Sequence, residues 1–303
     1  MPDPRFDGAC VALITPFDDR GVNERTLREL VRFHHAEGTD ALLVCGSTGE
    51  AATMTSEEQR LAAEIVIDEN GGRLPVVVGC GGSDTAAVAR LAEQARDVGG
   101  DALLVSAPPY NKPPQRGLLA HFRAILDAAG LPLIVYNVPG RSAVNIQPAT
   151  IAKLAEDERV IGVKEASGDL AQVAELARLT EGRLTLWSGN DENTVPILSL
   201  GGRGIISVLS NVAPRQTSRM VHLYLDGDVD AARALQLRLL PAIAVLFSEP
   251  NPIPVKAGVG WLGFDVGEPR LPLVAAEPAT VDALGRELES IGMHRREEAR
   301  SGV

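Results

Sequence analysis

The chain has 303 residues, 45% of them hydrophobic and 23% charged, with a formal net charge of −11. That balance fits a well-packed protein of one large domain with room for an appendage, and it disfavours nucleic acid and anionic membrane surfaces as partners. No stretch reaches the roughly 18–20 apolar residues of a membrane helix, and the opening residues, MPDPRFDGAC, lack the basic and apolar regions of a signal peptide.

Short apolar runs alternate with longer amphipathic ones along most of the chain. Strands are expected over 9–15, 41–45, 75–80, 102–106, 132–137, 160–164, 184–188 and 204–208. Helices are expected between and after them, over 23–37, 56–70, 84–98, 115–129, 147–156, 169–180, 190–200 and 211–226. Gly, Pro, Asn and Asp punctuate many of the connections. The segment DALLV stands at 40–44 and again at 101–105, as quasi-repeated βα units would give. This alternation predicts a (β/α)₈ TIM barrel. An open doubly wound sheet is the alternative, weakened because no G-x-G-x-x-G follows the first strand. Beyond 208 the strand signal fades, and 229–247, 254–263 and 280–291 read as helices. The expected organisation is a barrel over 1–226 carrying the active site, then a C-terminal helical domain with a polar tail over 227–303. The tail, HRREEARSGV from His294, is expected to fray. The three cysteines, Cys10, Cys45 and Cys80, match no zinc or redox spacing and read as buried thiols of a cytoplasmic protein.

Function in such a barrel gathers at the C-terminal ends of the strands. The sixth strand runs through apolar Val160–Val163 and ends in Lys164. Lysine is seldom buried, so one at this position has two readings. It can snorkel to water or pair with Glu165. It can also be a reactive amine, since an apolar pocket disfavours the charged form and a free amine attacks carbonyls to form a Schiff base. The second strand ends in Gly46-Ser47-Thr48-Gly49-Glu50, whose hydroxyls and amides suit a small carboxylate, or which is only a tight βα turn with a helix cap. Two of the three tyrosines, Tyr110 and Tyr136, lie at strand ends. A phenol there can relay protons or simply pack. The five histidines fall on helical patterns or the tail, and no metal-ligand spacing or phosphate loop is present, so no metal or cofactor is expected. Lysine and tyrosine remain as the chemistry-bearing groups: an imine as electron sink for a 2-oxo acid, a phenol to move protons.

Five motifs then resemble one family. Gly46-Ser47-Thr48-Gly49-Glu50, Tyr136-Asn137-Val138-Pro139-Gly140-Arg141, Lys164-Glu165-Ala166-Ser167-Gly168, Gly204-Ile205-Ile206-Ser207-Val208 and Asn251-Pro252-Ile253-Pro254-Val255-Lys256 are similar, in order and spacing, to the dihydrodipicolinate synthase / N-acetylneuraminate lyase family. The resemblance implies a class I aldolase that starts from pyruvate. Lys164 matches the Schiff-base lysine and Tyr136 the general acid/base. Ser47 matches the hydroxyl that links two tyrosines in a proton relay, a position where the synthases usually have Thr. Tyr110 matches the third relay member, donated across a subunit interface of a homotetramer. Ser47 and Thr48 match the pyruvate-carboxylate site, Gly189 and Ile206 the pocket wall, the latter through its carbonyl. Arg141 matches the residue with which the synthase branch holds the carboxylate of aspartate semialdehyde, on the way to lysine and diaminopimelate, and a guanidinium fork suits that group. Asp191 and Glu192 point the other way, to acids that hold sugar hydroxyls in the lyases, or to a helix first turn. Two alternatives stay open: an aldolase of the family acting on a sugar acid or other aldehyde, and a barrel that binds a 2-oxo acid as a sensor without turnover. The positions that bind inhibitory lysine in some synthases correspond here to Ser56, Gln59, Ser83 and Ala87. Pro109 stands nearby where a tyrosine is common, and Ala107 where a threonine is. The resemblance with these departures implies an enzyme that lysine does not inhibit.

Overall fold

A computed structural model describes residues 4–296. Eight parallel strands close into a barrel: β1 (Gly8–Ala12), β4 (Ala41–Val44), β5 (Val76–Gly79), β6 (Ala102–Ser106), β7 (Leu133–Asn137), β8 (Val160–Glu165), β9 (Thr185–Ser188) and β10 (Gly204–Ser207), with β10 returning to β1. A small hairpin, β2 (Phe17–Asp18) with β3 (Gly21–Val22), follows β1 and has no counterpart in the apolar pattern. The helices between strands are α1 (Glu24–Glu37), α2 (Ser56–Asn70), α3 (Thr85–Asp97), α4 (Gln115–Ala129), the single turn α5 (Pro139–Ser142), α6 (Pro148–Leu154), α7 (Leu170–Thr180), α8 (Thr194–Ser199) and α9 (Pro214–Leu225). Three more follow: α10 (Val229–Leu246), α11 (Ile253–Trp261) and α12 (Pro278–Ser290). The (β/α)₈ barrel expected from the alternation is therefore present, with helices after it.

The strands read as continuous apolar runs because both of their faces are covered. Outward side chains such as Val11, Leu42, Val105 and Val135 pack under the helices. Inward ones, Cys10, Leu43, Val77, Leu104, Ile134, Tyr136, Trp187 and Ile206, fill the barrel. Trp187 donates its indole N–H to the carbonyl of Phe6 at 2.8 Å, which closes the N-terminal end. Its ring lies over Gly162, where any Cβ would collide with it, so the strand that carries Lys164 must be bare two residues earlier on the same face.

Two departures from expectation have identifiable causes. β1 ends at Ala12 instead of residue 15, because side-chain bonds replace much of the ladder beyond it: Ile14 N–H donates to Asn211 Oδ1 (3.0 Å), and Thr15 Oγ1 donates to the carbonyl of Gly49 (2.7 Å). The expected frayed tail begins docked. Arg296 donates its N–H to the carbonyl of Leu262 at 3.0 Å and sets its guanidinium 4.2 Å from the Phe264 ring centroid; the remainder of the tail, from 297, lies outside the described residues.

α10 to α12 pack through Leu239, Leu246, Val255, Val259, Leu284 and Leu288 against Ile14, Leu30, Val208 and Val212 of the barrel. This seats the start of α11, with Asn251 just before it, against the C-terminal mouth. Among the described residues no helix is long and apolar enough to cross a membrane.

Candidate active site

The C-terminal mouth of the barrel opens into a cavity of about 730 Å³. Ser47, Thr48, Tyr136, Arg141, Lys164 and Gly189 all line it, and no histidine does. Parallel pairing brings the first pair together: Tyr136 on β7 and Lys164 on β8 are register partners, so both side chains leave the sheet at the same level and on the same face. The Lys164 ammonium nitrogen lies 4.4 Å from the Tyr136 ring centroid. Lys164 is 4% exposed and, among the described residues, makes no ion pair or hydrogen bond. The pairing with Glu165 that the sequence allowed does not form. Glu165 leaves the strand on the opposite face and accepts instead from Asn137 Nδ2 (3.0 Å) and the Ser167 N–H (2.7 Å).

Gly189 stands where the lysine stem passes. A Cβ there would lie 3.1 Å from Lys164 Cγ, 3.0 Å from the Glu165 carbonyl and 2.7 Å from Ala166 Cβ. Only glycine lets the chain leaving β9 pass the lysine side chain this closely. Ile206 is buried in the barrel interior with Tyr136 and Trp187 and is not among the cavity-lining residues; Val208, two residues on, is.

The Gly46–Glu50 loop contributes polar residues to the cavity that Lys164 lines. Ser47 is exposed to the cavity, and its hydroxyl makes no hydrogen bond among the described residues. Thr48 is buried, and its Oγ1 accepts from Asn251 Nδ2 at 3.0 Å. The carbonyl of Asn251 in turn accepts from Arg141 Nη2 at 2.9 Å. Asn251, which sequence reasoning placed in a motif without giving it a role, thus bridges the loop and the arginine. Its Oδ1 is a buried acceptor without a partner among the described residues. Its position before a proline in a helix-starting segment was the only signal for it.

Tyr110 is set apart from this group. It sits on the β6–α4 connection in a left-handed conformation (φ 70°), 89% exposed and outside the cavity lining. Among the described residues no hydrogen bond joins Ser47, Tyr136 and Tyr110. Asp191 is turned away from the cavity. Its carboxylate is 1% exposed and accepts from the Ser207 hydroxyl and from the N–H groups of Val208 (3.1 Å) and Leu209 (3.2 Å). Burial lifts its pKa to about 6 against those three bonds. Glu192 beside it is exposed. Burial also pushes the Cys10 and Cys45 thiols up to about 12, so neither offers a thiolate near neutral pH.

Residues 5–291 match the sequence profile of the Dihydrodipicolinate synthetase family. The chain belongs to that family. A relative from Thermoanaerobacter sp. (strain X514), a 4-hydroxy-tetrahydrodipicolinate synthase, is 46% identical over 291 residues, covering 96% of this chain and 98% of the relative. The dihydrodipicolinate synthase of Acinetobacter baumannii, chloride-inhibited and solved in complex with pyruvate, superposes with a TM-score of 0.92 at 36% identity, covering 95% of this chain and 99% of that one. The enzyme of Cyanidioschyzon merolae, solved with lysine bound, gives the same TM-score, identity and coverage. As a family member the chain is a carbon–carbon bond-forming lyase of the Schiff-base, aldolase type.

Proposed function

We propose that this member condenses pyruvate with aspartate semialdehyde, as a 4-hydroxy-tetrahydrodipicolinate synthase, with Lys164 as the Schiff-base residue. The observation that carries the assignment of Lys164 is its isolation: a buried lysine with no counter-ion, at the floor of a polar-lipped cavity, beside a phenol. Its amine adds to the ketone of pyruvate and water leaves, giving the imine. The imine withdraws electrons from the methyl group, which loses a proton and becomes the enamine carbon. That carbon attacks the aldehyde, a new carbon–carbon bond forms, and the aldehyde oxygen takes up a proton. The amine of the semialdehyde then displaces Lys164 from the imine carbon and closes the ring. Tyr136 is the group placed to carry these protons. Ser47 and Thr48 hold the pyruvate carboxylate, with Gly189 as the wall beside the imine; Ile206, expected beside it, lies in the barrel interior off the cavity lining. A coupled assay with pyruvate and aspartate semialdehyde tests the reading; consumption of pyruvate with a different aldehyde only would overturn it.

Arg141 on the cavity rim selects the second substrate. Its Nη2 is engaged by the Asn251 carbonyl, which holds the guanidinium over the mouth. The sugar-acid alternative draws no support from Asp191, whose carboxylate is spent on Ser207, Val208 and Leu209. Arg141→Ala removes a charge-assisted bond, about 1.5–3 kcal/mol, and is expected to raise the KM for aspartate semialdehyde about 10–150-fold while that for pyruvate changes little. Equal changes in both KM values would remove Arg141 from this role.

The reading extends to a cytoplasmic homotetramer in which Tyr110 of one subunit completes the relay of its neighbour. Its support is a large aromatic ring left 89% exposed next to a cavity that holds a single phenol. A division into a catalytic barrel over 1–226 and a C-terminal unit over 227–303 belongs to the same proposal, although Asn251 reaches the cavity from the second part.

Lysine is expected not to regulate the enzyme. An ammonium needs acceptor oxygens to replace its water, and Ala87 and Pro109 offer no side-chain acceptor. Asp84, three residues before Ala87, is committed as the cap of α3, accepting from the N–H groups of Ala86 (3.1 Å) and Ala87 (3.3 Å). Ser83 Oγ donates to the Pro109 carbonyl at 3.1 Å. Initial rates titrated with L-lysine should show no half-inhibition below about 1 mM, which corresponds to roughly 4 kcal/mol of binding.

A further inference from the structure

Lys256 is a second buried lysine, and the reaction above gives it nothing to do. It lies in the second turn of α11, with its side chain 1% exposed. Its ammonium donates to Glu50 Oε1 at 2.7 Å and to the Glu268 carbonyl at 3.1 Å, and lies 4.4 Å from the Phe17 ring centroid. Burial pulls its pKa down, and Glu50 opposes that. Glu50 is the last residue of the loop that carries Ser47 and Thr48. It holds a left-handed conformation (φ 56°), which a glutamate adopts only where its surroundings impose it. Its other oxygen accepts the Arg270 N–H at 2.8 Å. Arg270 rests 4.0 Å from the same Phe17 ring centroid and donates to Glu58 in the first turn of α2.

An apolar pair of similar shape often holds a fold as well as a buried ion pair does, so stability alone is a weak account of this one. Its geometry points to orientation. The N–H of Lys256 donates to the Pro252 carbonyl at 2.9 Å, so the lysine is built on the turn that begins at Asn251. Asn251 fixes the Thr48 hydroxyl, and Lys256 fixes Glu50 at the far end of the same loop. One helix start therefore grips the loop at two points, two residues apart.

We infer that Lys256 is a positioning residue, which acts through Glu50 to hold Ser47 and Thr48 at the carboxylate of the 2-oxo acid; this rests on the reaction proposed at Lys164. Displacing such a loop by a fraction of an ångström should weaken pyruvate binding more than it slows the bound complex.

The test compares the wild type with Lys256→Met and with the double variant Glu50→Gln/Lys256→Met. Steady-state kinetics, thermal unfolding and borohydride trapping with pyruvate are measured on each. In Lys256→Met the KM for pyruvate should rise about tenfold or more, with kcat at saturating pyruvate within about threefold of wild type and Lys164 still labelled. The double variant leaves no unpaired buried charge. Its unfolding temperature should recover towards wild type while the raised KM persists, a split that a purely structural role would not give. A folded variant whose pyruvate KM stays within about twofold of wild type, or failure of both variants to fold, overturns the inference. Absence of trapping at Lys164 in the wild type overturns the reaction assignment instead.

Discussion

Borohydride added with pyruvate is expected to fix one reduced pyruvyl group on the chain, at Lys164 and at no other lysine. Selectivity follows from the environment. Lys256, equally buried, is engaged by Glu50 and the Glu268 carbonyl and faces Phe17, so its amine is neither free nor open to the cavity. Lys112 and Lys153 lie on other parts of the chain and do not line the cavity. Lys164 alone combines access to the cavity with freedom from a counter-ion. Lys164→Arg keeps the charge and much of the length but places a guanidinium at the site, which stays protonated and cannot attack a ketone. Loss of the nucleophile is expected to lower kcat on the order of 10⁴-fold or more. Intact mass and peptide mapping read the first result, and the coupled assay reads the second. A label on another lysine, or an arginine variant that retains a tenth of the activity, would remove Lys164 from the mechanism.

How much of this was legible in the sequence depended on whether an element carries its own signal. The barrel strands did: they are buried on both faces, so they read as largely apolar runs, and Lys164 stands out as a lysine near the end of one of them. The long helices did too, because their caps are local. Thr55 and Glu58 form a reciprocal capping box at α2, and Asp84 and Asp169 cap α3 and α7. Contacts between distant segments left no such trace. That Asn211 ends the first strand, that Asp191 folds inward onto the 207–209 turn, and that Asn251 ties Thr48 to Arg141 each depend on residues far apart in sequence. Asp191 is instructive. As a letter after a strand it could hold a sugar or start a helix, and only its three donors decide the matter. Tyr110 marks the opposite limit: it is 89% exposed and lies off the cavity, so the single chain gives no geometry for the relay role expected of it.

Tyr136→Phe is the second large effect expected. The substitution keeps the ring, and with it the packing on Ile206 and Trp187 and the face turned to the Lys164 ammonium. The phenol hydroxyl makes no hydrogen bond among the described residues, so its loss leaves no buried partner stranded and thermal unfolding should hardly change. Every proton step of the proposed reaction, by contrast, needs a group that can give and take a proton near the imine, and no cavity-lining histidine can stand in. A proton-transfer group is worth roughly 10²–10⁴-fold, so kcat should fall by that much, or about 3–5 kcal/mol of barrier. The deficit should fall on the enamine step. Wash-in of deuterium at the pyruvate methyl in heavy water should slow in parallel with turnover, while borohydride still traps an imine on Lys164 after long incubation. Turnover and methyl exchange both within a few-fold of wild type would reduce Tyr136 to a packed ring and return the proton relay to Ser47 or to water.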